Sequence, residues 1–130
     1  TTLPTVAVLP GPISPVTSTI SLSNSTVQSG SSITATLSAR DAAGNTITTG
    51  GSSVVFSHSG GSSTGSFAGT NDPGDGTYSS VFTGIVAGTP TTVTATINAA
   101  NVTTALPAVT VTPGLASSAT STIAVGSGTV

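Results

Sequence analysis

The sequence predicts an all-β protein, an antiparallel β-sandwich of about seven short strands. Three observations predict it. Apolar and hydroxyl side chains alternate with period two along several segments, so that each turns one face inward. Turn signals separate these segments about every 8–12 residues. No segment keeps a 3.6-residue period for any length. Composition agrees, because Ser and Thr fill 49 of the 130 positions, and β-branched Thr and Val favour strands.

Taken in order, Ile20 and Leu22 mark the first strand, closed by Ser29-Gly30. Ile33, Ala35, Leu37 and Ala39 then alternate with Thr34, Thr36 and Ser38, and Asp41-Ala42-Ala43-Gly44-Asn45 turns the chain. Val54 and Phe56 form the next strand, ended by Gly60-Gly61. After Asp72-Pro73-Gly74-Asp75-Gly76, residues Tyr78, Ser80 and Phe82 share one face, with Val81 competing for the inward side. Tyr78 is suited to burial with its hydroxyl bonded to nearby backbone. Beyond Ala87-Gly88, Val93, Ala95 and Ile97 alternate with threonines. Leu106, Val109 and Val111 supply the last strand.

The two ends are copies of each other. Shifted by 103 positions, residues 1–27 align with 104–130 without a gap, and 14 of the 27 pairs are identical. Leu3-Pro4, Val6, Val8 and Pro10-Gly11 face Leu106-Pro107, Val109, Val111 and Pro113-Gly114. A repeat at this period matches a self-contained domain of about 100 residues, the size of an Ig-like sandwich, set in an array. Residues 16–113 are then one complete unit. Residues 1–15 are the last strand and joint of a preceding unit, or a strand donated to a neighbour. Residues 114–130 begin a following unit. Two assembly modes fit, covalent tandem linkage and strand donation by β-augmentation. In both, Leu3, Val6, Val8, Leu106, Val109 and Val111 form the assembly strand.

Charge excludes several functions. The chain has one Arg and no Lys, three Asp, one His and a net charge of −2. Without a basic surface it has no means of neutralising nucleic-acid phosphates. No apolar run nears the roughly 20 residues of a membrane helix, and the start lacks a signal-peptide pattern. Absent cysteine removes disulfides and thiolate chemistry, and absent lysine removes Schiff bases and isopeptide cross-links. No cofactor is called for. A nearly neutral surface without charged edge strands favours association with copies of itself.

Candidate sites are few. Asp72 and Asp75, with Asn71, offer oxygens to Ca²⁺, a cation that takes 6–8 of them. Two carboxylates are a sparse set, and Asp-Pro-Gly-Asp-Gly is ordinary turn chemistry. Asp41 with Asn45 reads as a plain hairpin connection beside Arg40. Asn24-Ser25-Thr26 and Asn101-Val102-Thr103 fit the glycan acceptor pattern. His58 lies between Ser57 and Ser59, but no nucleophile elbow accompanies it, so no catalytic residue is assigned. With no partner visible in sequence, His58→Ala is expected to leave the fold intact.

Ser25-Thr26-Val27-Gln28-Ser29-Gly30, Ile33-Thr34-Ala35-Thr36-Leu37, Asp41-Ala42-Ala43-Gly44-Asn45 and Asp75-Gly76-Thr77-Tyr78, in this order, resemble the bacterial Ig-like repeats of invasin- and intimin-type surface proteins. The resemblance spans roughly residues 16–112. It implies an Ig-like sandwich on the cell surface, extracellular and non-enzymatic, serving an adhesin stalk or filament shaft. The alternative it implies is a module that binds carbohydrate or a host receptor. The chain departs from the pattern in its missing surface charge, which points to a packed fibre, a glycosylated surface or an acidic habitat.

Overall fold

The computed structural model describes residues 2–117, 119–124 and 126. Nine strands run in the order β1 (Thr19–Leu22), β2 (Thr26–Gln28), β3 (Ser32–Ser38), β4 (Val54–Ser59), β5 (Thr64–Phe67), β6 (Thr77–Val86), β7 (Thr91–Ile97), β8 (Ala100–Asn101) and β9 (Ala108–Thr112). One sheet has the order β1-β3-β6-β5, and the other β2-β9-β7-β4 with β8 added beside β7. The pairs are antiparallel except β2 with β9, which run parallel from Thr26↔Thr110 to Gln28↔Thr112. The all-β Ig-like sandwich expected from the sequence is what forms.

The period-two segments become the central strands because each can bury one face and hydrate the other. In β3, Ile33, Ala35 and Leu37 point inward and stand opposite Phe82, Ser80 and Tyr78 of β6. In β7, Val93, Ala95 and Ile97 face His58, Phe56 and Val54 of β4. Val81 points outward, which settles the competition for the face in favour of Tyr78, Ser80 and Phe82. The Tyr78 hydroxyl accepts from Ser52 N at 3.1 Å, the backbone bond expected for it. Core hydroxyls are paired too. Ser18 Oγ donates to Arg40 O, Ser80 Oγ to Ala68 O, and Ser63 Oγ accepts from Val111 N.

Among the turns with positive φ, two stand out. Gly76 has φ +88°, and a β-carbon there would collide with Ile47 O. Asn98 and Ala99 both have positive φ, 49° and 70°, in the two-residue turn that joins β7 to β8. A type I′ turn demands this of both residues, and Ala99 adopts it without the freedom of glycine.

Candidate functional site

The two ends of the sandwich differ, and β3 separates them. Ser32, at its start, lies by Thr83 and the Ser29-Gly30 turn, where Ser29 N donates to Thr112 O at 2.8 Å. This distal end is therefore where the chain leaves the sandwich. Ser38, at the finish of β3, leads into Arg40 and Asp41, where the incoming segment arrives. Gly11 N donates to Asp41 Oδ2 at 2.8 Å, Ser14 N to Arg40 O at 2.8 Å, and Thr17 Oγ1 to Asp41 O at 2.6 Å. Arrival and departure are thus at opposite ends.

Arg40 and Asp41 sit at the arrival end, against the incoming segment. Asp41 is buried and accepts from Ala43 N, Asn45 N, Asn45 Nδ2 and Gly11 N. These bonds, the Asn45 amide first and the Gly11 N–H next, hold its carboxyl down to about 2. Arg40 does not turn to Asp41; its guanidinium donates to Gly44 O at 3.0 Å. The Asp41–Asn45 loop is thus more than the hairpin connection its sequence suggests, because it also receives the incoming segment. A shallow cavity of about 280 Å³ lies beside it, lined by Leu9, Pro10, Gly11, Ile47, Thr48 and Thr49.

The calcium candidates serve the turns they sit in. Asp72 accepts from Gly51 N at 2.7 Å through Oδ2 and from Gly74 N at 2.9 Å through Oδ1. Asp75 Oδ1 accepts from the hydroxyl and N–H of Thr77, which lower its carboxyl, the hydroxyl more. Asn71 exchanges backbone bonds with Ser79. Among the described residues no group of three or more acidic, histidine or cysteine side chains converges. Asn24 and Asn101 are both exposed. The Asn24 side chain accepts from Thr26 N at 3.2 Å.

His58, the penultimate residue of β4, has partners that its sequence neighbourhood does not show. Its ring lies on the inward side of β4, edge-on to Phe82 at 5.7 Å and tilted to Phe67 at 6.4 Å. Nε2 lies 3.1 Å from Gly65 O, an acceptor only, so that nitrogen carries the proton. Nδ1 is 3.0 Å from Thr91 Oγ1. The expectation that His58 has no partner, and that His58→Ala is silent, is therefore corrected: the ring reaches Gly65 of β5 in the opposite sheet and Thr91 of β7 in its own.

The assembly-strand residues divide. Val109 and Val111 are 0% and 1% exposed in β9, and Leu106 packs against the core just before it. Their copies Leu3, Val6 and Val8 are 81%, 88% and 84% exposed on a segment without secondary structure. Of the strand expected within 114–130, Leu115 and Ile123 are exposed, while Ser118, Val125 and residues 127–130 lie outside the described residues.

The family described as invasin, domain 3 has a sequence model that matches residues 14–114, most of the chain. The chain belongs to the invasin domain 3 family. Solved structures agree. FdeC, an adhesin of Escherichia coli, is 30% identical with a TM-score of 0.70, over 83% of this chain and 34% of FdeC. InvD of Yersinia pseudotuberculosis is 24% identical with a TM-score of 0.70, over 88% of this chain and 33% of InvD. Invasin, described as a bacterial integrin-binding protein, is 24% identical with a TM-score of 0.66, over 80% of this chain and 20% of invasin. This invasin-family chain thus spans about a third or less of these relatives' length. No curated protein sequence matches it. Among the described residues, no helix is long and apolar enough to cross a membrane.

Proposed function

We propose that this invasin-family domain is one link of a bacterial cell-surface stalk, an extracellular and non-enzymatic spacer in a covalent tandem array. The observation that carries this reading is the exposed copy of β9. Val6 and Val8 repeat Val109 and Val111, which the sandwich buries completely, yet they find no core in this unit. Such a segment supplies the last strand of a sandwich of the same kind ahead of this one. Arrival and departure at opposite ends support an extended chain of units rather than a cluster. At about 3.3 Å per residue, the ten residues of β6 alone span roughly 30 Å of each link.

The aromatic rings that sugar recognition would use are spent inside: Phe56, Phe82 and Tyr78 are buried, and Phe67 packs against the core. A spacer therefore accounts for the domain better than a carbohydrate-binding module. The native polypeptide, weighed intact under denaturing conditions, should be many times heavier than the 12.2 kDa of this chain. A native species near that mass would replace tandem linkage with strand donation between subunits.

A further inference from the structure

Asp41 collects more donors than its loop needs. Ala43 N, Asn45 N and Asn45 Nδ2 already occupy both carboxylate oxygens and close the turn. The fourth donor, Gly11 N, arrives from 30 residues upstream. Around it the incoming segment is bonded repeatedly. Ile13 bridges to Asp41, Ser18 exchanges bonds with Arg40, and Thr103 N donates to Pro15 O. Pro10 and Pro12 flank Gly11 and restrict the backbone on either side of the anchored amide. Leu9 and Pro10 then stand across the 280 Å³ cavity from Ile47, Thr48 and Thr49.

We propose that Asp41 is a joint anchor, a positioning residue whose carboxylate holds Gly11 N and so fixes the direction from which residues 2–10 approach the sandwich. The second half of the inference rests on the tandem reading above. If those residues are the last strand of a preceding unit, Asp41 sets the tilt between consecutive units and stiffens the stalk at that joint. A carboxylate anchor suits the task. Charge-assisted bonds to backbone N–H groups are shorter and stronger than neutral ones, and this one is partly buried, with Asp41 itself inside the fold. Within the joint and the 40–47 loop the only other charged group is Arg40, which is turned to Gly44 O.

Amide NMR on the full 130-residue chain tests the anchor. The Gly11 amide should exchange at least tenfold more slowly than an unstructured glycine, and its resonance should shift in acid together with the Asp41 carboxyl. Asp41→Asn places an amide donor among donors. It should abolish the protection of Gly11 and mobilise Leu9, while Asp72→Asn should leave both unchanged. If Asp41→Asn does not fold, the protection and the acid shift of the Gly11 amide in the natural chain decide alone. A Gly11 amide that is unprotected and indifferent to acid in the natural chain, or a Leu9 as ordered in folded Asp41→Asn as in the natural chain, overturns the anchor. The two readings fail separately. A native polypeptide with no sandwich ahead of residue 2 ends the array but leaves Gly11 protected, and an unprotected Gly11 ends the anchor but leaves the array standing.

Discussion

Removing the Phe82 ring should be among the most damaging single changes in this domain. Phe82 is 0% exposed, 5.0 Å from the Phe67 ring and edge-on to His58 at 5.7 Å. Gly65 is packed so closely on it that a β-carbon there would strike the ring. Returning a buried Phe side chain to water costs about 3 kcal/mol at most. The remaining cavity and the lost aromatic contacts bring Phe-to-Ala changes to about 3–5 kcal/mol. Neighbours fixed in two hydrogen-bonded sheets collapse poorly into the space, so Phe82→Ala belongs in the upper half of that range. Urea unfolding is the assay. With a slope of about 2 kcal/mol per molar, a loss of about 4 kcal/mol lowers the midpoint by about 2 M. Val81→Ala, on the outward face of the same strand, is the control and should cost less than about 1 kcal/mol. A Phe82→Ala loss below 1 kcal/mol, or equal losses at both positions, would refute the assignment of faces in β6.

Further outcomes follow from single groups. His58→Ala should destabilise by about 1–3 kcal/mol in the same assay, because it strips partners from Gly65 O and Thr91 Oγ1 beside the aromatic cluster; an unchanged midpoint would return His58 to a bystander. Ala99→Gly should stabilise by about 1 kcal/mol or somewhat less, since it relieves an L-residue at φ +70°; a loss of stability would contradict the turn geometry. Asp41 and Asp75 are both held below the ordinary carboxyl value of 3.8, Asp41 to about 2. The folded state therefore binds fewer protons than the unfolded one in this range. Their contribution is complete above about pH 4 and is lost as pH falls towards 2. Thermal melting should be nearly flat from neutrality down to pH 4 and should drop below it. A decline that begins above pH 5 would implicate other groups.

The central strands were legible in the sequence because their burial is periodic. Ile33-Ala35-Leu37, Val93-Ala95-Ile97 and Tyr78-Ser80-Phe82 alternate as a two-faced sheet requires. The short strands were not. β2 contributes only Val27 to the core, β5 carries Gly65 in its interior, and β8 depends on a turn with Ala99 where glycine is usual. Each is held by its neighbours rather than by a pattern of its own. Side-chain roles divided along the same line. The hydroxyl bond of Tyr78 was foreseen from its size and place at the head of a strand. Neither the hold of Asp41 on Gly11 nor that of His58 on Thr91 leaves a local trace, since each joins residues 30 or more positions apart.

Hydrogen exchange at Val6 and Val8 in the native, full-length polypeptide tests the tandem stalk most directly. If these residues complete a sandwich ahead of this one, their amides should exchange as slowly as those of Val109 and Val111. Exchange at the rate of an unstructured chain would mean that the exposed copy of β9 has no core to join, and the stalk assignment would fall with it.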